Sequence, residues 1–152
     1  MKPIITLHKI SLSDVDTYVN LEKNFSSLKN YSPSDTIAQA QEQIKNNLCF
    51  FIKQNNTIVG SIDYHMKDEY CAYITGLVVH PDFQDQGIAR TALHMLLEEL
   101  KNVKEISLDT HPHNTKAIML YLSSGFLIDS WKDNYYGDGE PRIVLRRKND
   151  FL

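Results

Sequence analysis

Residues 70–100 constrain this chain more than any other stretch, because a long strand runs there through a short polar turn into a helix. YCAYITGLVVH has the β-branched and aromatic content of a strand. From about Gln86 to Leu100, apolar residues recur at Ala89, Leu93, Leu96, Leu97 and Leu100, which is one face of a helix. Such a face needs a sheet to lie on, so the expected architecture is an α/β layer with helices on a mixed sheet.

The rest of the chain reads around that unit. Residues 4–10 (IITLHKI) alternate as a strand, and Ser11 to Asp14 form an acidic capping box ahead of a helix to about residue 25. Residues 26–34 are polar and irregular, and a second helix is expected from about Pro33 to Asn46. LCFFIKQ, NNT and IVGSIDYHM read as a hairpin that turns at Asn55-Asn56. KEISLDT is a short buried strand, Asn114 caps a helix through Ser123, and Gly125 ends it. Residues 126–131 and 142–147 close the chain as an antiparallel pair around DNYYGDGEP. With no repeat, low-complexity tract or flexible linker, residues 1–152 are expected to form one domain.

Composition narrows the function classes. A formal net charge of -3 gives no general attraction to nucleic acid or to an anionic membrane. The basic run Arg142, Arg146-Arg147-Lys148 is diluted by Asp150 and reads as a solvated last strand. Cys49 and Cys71 lie far apart in apolar or aromatic surroundings, where a thiol acts as a small core residue. MKPIITLHKISLSD lacks an apolar signal region, and the longest apolar run, about five residues, is far short of the roughly 20 that span a bilayer. A cytoplasmic location is the default expectation. His111 and His113 are two imidazoles without a third ligand, so no metal is expected.

Residues 84–89, QDQGIA, sit where the long helix begins. The first N–H groups of a helix lack partners within it and carry a partial positive charge, and a glycine there lets the backbone curl around an anion. Alone, this pattern is also that of a plain helix start. A second stretch, NTKAIMLYLSSGF at 114–126, places Asn114, Ala117 and Tyr121 close to one stripe of a helix. Together the two segments resemble the GNAT acyltransferase superfamily. Its cofactor motif, Q/R-x-x-G-x-G/A after a strand L-x-V-x-P, is matched by Leu77-Val78-Val79-His80-Pro81 and then Gln84 to Ala89. Its second signature, N-x-x-A-x-x-x-Y-x-x-x-G-F, is met at every position from Asn114 to Phe126. The resemblance spans roughly residues 58–147.

The resemblance implies the GNAT fold: a mixed, mostly antiparallel sheet of about seven strands with a central parallel splay, flanked by four helices. It implies acetyl-CoA as cosubstrate, with its pyrophosphate on the N–H groups of Gln84, Asp85, Gln86, Gly87, Ile88, Ala89 and Arg90. The backbone at Leu77, Val78 and Val79 would pair with the pantetheine arm, and Asn114 would touch that arm from the far side. Tyr121 matches the tyrosine that gives the leaving CoA thiolate its proton. A phenol of pKa near 10 is protonated at neutral pH and can donate to a thiolate of pKa about 8.5. Two departures stand out: Gln84 replaces a common arginine, and Ala89 replaces the last glycine. Gln84 lacks a charge-assisted phosphate contact, which leaves more to the amides and to Arg90.

The proton acceptor has two candidate places. Tyr73 and Thr75 share a face of the strand that leads to the cofactor site, and Asp109, Thr110 and His111 end the next strand. For the acceptor amine, the resemblance points to residues 24–34 and to the loop 134–140, with Tyr135, Tyr136 and Glu140 as substrate contacts. Its N-Y-Y element and Tyr73 are similar to features of protein N-terminal acetyltransferases. Asp138 and Glu140 suit a small cationic amine or polyamine equally well, so both acceptor classes stay open. A CoA-binding sensor without turnover is the alternative, although it needs no Tyr121. An NAD-type binder would require G-x-G-x-x-G after a first strand, and that motif is absent. Pairing through the last strands is common among relatives, so a homodimer is among the expectations.

Overall fold

The structure is a computed structural model that describes residues 2–28 and 31–149. Its elements are β1 (Ile5–Lys9), α1 (Val15–Glu22), α2 (Ile37–Asn46), β2 (Leu48–Gln54), β3 (Thr57–Met66) and β4 (Cys71–Val79). There follow α3 (Ile88–Glu99), β5 (Glu105–Thr110), α4 (Thr115–Ser123), β6 (Leu127–Lys132) and β7 (Arg142–Lys148). Among the described residues the strands form one seven-stranded sheet in the order β1-β2-β3-β4-β5-β7-β6. The sheet is mixed and mostly antiparallel, with four α-helices, as the GNAT resemblance implies. The chain divides into two compact units, with β4 contributing to each.

The first unit runs to His65 and resumes over Thr75–Glu98. The helical entry keeps the expected capping box, with Ser11 N–H donating to Asp14 Oδ2 at 2.9 Å. A single 3-10 turn precedes α1 and another follows it to Phe25, so the helical stretch ends where expected. The second helix starts later than expected, at Ile37. Thr36 is extended and its Oγ1 accepts from Gln39 N–H at 3.3 Å, which makes Thr36 the cap. Between them, Lys29 and Asn30, part of the expected acceptor segment 24–34, lie outside the described residues, as does Asp150 at the other end.

The hairpin of β2 and β3 turns on Asn55 (φ 51°) and Asn56 (φ 78°), both left-handed, as a two-residue turn requires. Ile10, Tyr18, Val19, Leu21, Phe25, Ala40, Cys49, Phe51 and Val78 gather into a buried core. Gly60 leaves no room for a Cβ, because that atom would stand 2.2 Å from the Val78 carbonyl oxygen and the backbone would have to shift. The buried stripe of α3 is Ile88, Ala92, Leu93, Leu96 and Leu97. Of the expected face, Leu93, Leu96, Leu97 and Leu100 are buried, Ala89 is half-buried, and Ile88 is buried in the first turn; the helix begins two residues later than the pattern suggested.

The second unit holds Met66–Ile74 and the chain from Glu99 on. Here β4 pairs with β5 in parallel, Cys71 with Glu105 through Tyr73 with Ser107. β5 pairs with β7 antiparallel over its full length, and β7 pairs with β6. The register shifts between Ile128 and Ser130, so Asp129 is the extra residue, and its carboxylate meets Arg146 Nε at 3.1 Å. The expected basic patch is thus largely tied within its own unit. Arg146 also meets Glu105, Arg142 meets Asp138, and Arg147 Nε donates to the Ser124 carbonyl.

Candidate active site

In the first unit, β4 ends at Val79, and the His80 N–H donates to the Val59 carbonyl at 2.7 Å, which holds the strand end on β3. A 3-10 turn over Pro81–Phe83 follows, with His80 Nδ1 accepting from Asp82 N–H at 3.1 Å. Gln84 then extends, and its side-chain amide donates to the Val79 carbonyl at 3.0 Å. That bond ties the turn back to the strand it left. Asp85 (φ 63°) and Gly87 (φ 78°) both adopt left-handed backbone, so the chain curls just before α3 begins at Ile88. The Gly87 carbonyl accepts from Thr91 N–H at 3.1 Å and from its hydroxyl at 3.0 Å, which fixes the first helical turn.

The first N–H groups of an α-helix have no carbonyl one turn back within the helix itself. A curled backbone leading into a helix start of this kind suits an oxyanion. Ala89 is half-buried and Arg90 exposed. Leu77 is half-buried, while Val78 and Val79 are buried, so their side chains serve the core whatever the strand backbone does.

The same unit buries two carboxyl groups that the sequence reading did not single out. Glu22 is 1 % exposed and accepts from Tyr31 Oη at 2.9 Å on each oxygen. Burial lifts its pKa to about 7 against the hydrogen bonds from Tyr31 and Tyr18, and the Asp63 charge adds to the rise. Asp63 is 5 % exposed, and its Oδ2 accepts from Thr75 Oγ1 at 2.7 Å and from the Gln43 amide. Burial lifts its pKa to about 6, while those two hydrogen bonds pull the other way. The phenols of Tyr18 and Tyr31 and the thiol of Cys49 are likewise pushed up by burial. Part of this was legible: Glu22 stands four residues after Tyr18 and three before Phe25, on the buried stripe of α1. For Asp63 the only signal was its place in an otherwise buried strand.

In the second unit, Asn114 caps α4 as expected, its Oδ1 accepting from Ala117 N–H at 3.4 Å and its Nδ2 donating to Thr110 Oγ1 at 3.3 Å. Tyr121 is the buried residue of α4, 6 % exposed, with its ring edge-on to Phe126 at 5.4 Å between centroids. Its carbonyl accepts from Ser124 and Phe126 N–H at 3.0 Å each, and Gly125 makes the turn with φ 92°. Tyr73 is half-buried, with Lys67 Nζ 5.5 Å from its ring centroid.

The loop between β6 and β7 is fastened to the end of β5 at two points. Tyr136 Oη donates to Asp109 Oδ2 at 2.5 Å, and His111 Nε2 meets Glu140 Oε2 at 3.1 Å. His111 Nδ1 accepts from His113 N–H, so its proton sits on Nε2 and points at Glu140. Burial raises the Asp109 pKa, against the Tyr136 hydrogen bond and the charge of Arg142. Arg142 lies over the Tyr136 ring at 5.1 Å, and burial with the Asp109 bond pushes the Tyr136 phenol up. The residues expected to touch substrate are all exposed but differ in kind: Tyr136 and Glu140 bond to Asp109 and His111 at the end of β5, whereas Tyr135 packs on Tyr136.

Residues 16–126 match the acetyltransferase (GNAT) family. Over 111 residues the chain is 34% identical to the [ribosomal protein bS18]-alanine N-acetyltransferase of Escherichia coli K12, covering 70% of this chain and 74% of that one. Over 74 residues it is 34% identical to UPF0157 protein YqkA of Bacillus subtilis, which is 49% of this chain and only 21% of YqkA's length. In structure, it is similar to the ribosomal-protein-S18-alanine N-acetyltransferase from E. coli, with TM-score 0.79 and 25% identity over 98% of this chain and 96% of that one. It has the same fold as the ribosomal-protein-S5-alanine acetyltransferase of Vibrio fischeri, with TM-score 0.82 and 18% identity over 99% and 98% of the two chains. With both motifs on the elements that carry them and a family match over most of its length, the chain belongs to the acetyltransferase (GNAT) family.

Proposed function

We propose that this chain is an acetyl-CoA-dependent N-acetyltransferase that moves the acetyl group directly to a primary amine within a ternary complex. The observation that carries the reading is the curled turn with Asp85 and Gly87 at positive φ, leading from β4 into the start of α3. In this reading the amides of residues 84–90 hold the pyrophosphate and the Leu77–Val79 backbone holds the pantetheine arm. Asn114 contacts that arm. Gln84 contributes by fixing the turn through Val79, rather than by a charge on the phosphate.

The chemistry has three requirements. The acceptor must shed a proton, since a free alkylamine is mostly protonated near pH 7. The oxyanion formed at the thioester carbonyl must be stabilised, which an N–H on the Leu77–Val79 strand can do. The thiolate must be protonated as it leaves, and Tyr121 is the donor. Tyr73, on the strand that leads to this site, holds water for the amine.

For the acceptor, similarity to the enzyme named for bS18 alanine favours a peptide α-amine over a small amine or polyamine. Tyr135 and the fastened loop of Tyr136 and Glu140 form the peptide contact. Thiol release from acetyl-CoA against alanine-ended peptides, polyamines, aminoglycosides and amino acids tests this. Faster turnover with the peptides is expected. Exclusive use of a polyamine would overturn the acceptor class, and acetyl-CoA binding without turnover would favour a sensor.

A further inference from the structure

The reaction as proposed leaves one proton without a destination, and the first unit contains a group suited to receive it. Thr75 is exposed on β4, two residues before Leu77, yet its hydroxyl donates at 2.7 Å to a carboxylate that is itself buried. The approach is tight. A Cβ on the next residue, Gly76, would come within 3.1 Å of Asp63 Oδ1, so the strand backbone lies directly against this carboxyl. Gln43 of α2 holds the same Oδ2 from the other side. The titratable groups that bear on Asp63 are Glu22 and Tyr18 of α1, Tyr31 after it and Cys49 of β2. None of them is a cation, so the carboxyl is held by neutral hydrogen-bond donors.

We propose that Thr75 is the catalytic contact that takes the proton of the acceptor ammonium, and that Asp63 is the positioning residue behind it that stores that proton. The inference rests on the acetyltransferase reading. An N–H bond of the ammonium breaks and its proton goes to Thr75 Oγ1, while the hydroxyl's own proton crosses to Asp63 Oδ2. Thr75 is again a neutral hydroxyl, Asp63 is a carboxylic acid, and the amine has its lone pair. The C–N bond then forms at the thioester carbonyl and the C–S bond breaks, with its electron pair on sulfur. The second proton lost by nitrogen passes through water to the Tyr121 phenolate, replacing the one that Tyr121 gives the sulfur, and Asp63 releases its proton to water, so one proton leaves per turnover.

The test is thiol release with the best acceptor, measured from pH 5 to 9 for the wild type and for Asp63→Asn, Thr75→Val and Thr75→Ser. The wild-type rate is expected to rise through about pH 6, where Asp63 gives up its proton. Asp63→Asn and Thr75→Val are expected to lose about 100-fold in kcat together with that limb of the profile, with KM for acetyl-CoA unchanged. Thr75→Ser, which restores the hydroxyl, should recover most of the rate. If Asp63→Asn fails to fold, the exposed Thr75 decides the matter through its Val and Ser variants. Wild-type rates and an unchanged profile in Thr75→Val overturn the relay while leaving the acetyltransferase standing. A wild-type chain that acetylates no amine removes both.

Discussion

Two glycines and one glutamate show how single residues carry different loads here. At Gly60 the obstacle is space, since a Cβ would meet the Val78 carbonyl oxygen at 2.2 Å and two paired strands would have to part. At Gly87 nothing stands within 4 Å of a Cβ, and the obstacle is φ 78° alone. Gly60→Ala is therefore expected to cost about 3 kcal/mol or more of stability in urea unfolding. Gly87→Ala should cost only about 1 kcal/mol while weakening acetyl-CoA binding severalfold by titration. Equal costs at the two sites, or unchanged acetyl-CoA affinity in Gly87→Ala, would contradict this.

Glu22 makes a prediction about pH. Its carboxyl titrates at about 7 in the fold, above the ordinary 4.5, so the folded chain holds the proton more tightly than the unfolded chain. The stabilisation is complete below pH 4.5 and is lost as pH rises through 7, up to about 3 kcal/mol. Asp63 adds the same sign at slightly lower pH. Unfolding free energy should fall between pH 5 and 8, and Glu22→Gln should flatten that slope; an unaltered slope would rule out Glu22 as its source.

At the scale of elements, the motifs were readable and their edges were not. The periodicity of α3 was plain, but the helix starts at Ile88 because Asp85 and Gly87 hold left-handed backbone, and no hydrophobic pattern reports φ. Pro33 suggested a start for α2, yet the Thr36 hydroxyl caps it. The loop between β6 and β7 was legible as a loop rich in aromatics, while its fastening to the end of β5 through Asp109 and His111 depends on tertiary placement. Tyr136→Phe removes one fastening. It should raise KM for the acceptor severalfold and leave KM for acetyl-CoA unchanged in initial-rate assays. An acceptor KM that does not move would mean that the loop does not shape the acceptor site.

At the scale of the whole molecule, local order came from sequence pattern, and long-range order came only through the family resemblance. Each strand was expected near its observed place, but the order β5-β7-β6 inserts the last strand between its two predecessors, which local pattern does not encode. The two buried carboxyl groups escaped for a related reason. Glu22 and Asp63 look like ordinary charged residues until Tyr31, Gln43 and Thr75 are brought to them from distant positions. The turn before α3 was easier to read, because its curl is set by backbone within a few residues of Gly87.

If this chain transfers acetyl groups to amines, as proposed, thiol release from acetyl-CoA reports it. Release is expected to be matched one for one by acetylated alanine-ended peptide, with kcat lowered about 100-fold in Tyr121→Phe and acetyl-CoA affinity preserved. Tight acetyl-CoA binding with no release against any amine, or a Tyr121→Phe variant as fast as the wild type at every pH, would contradict it.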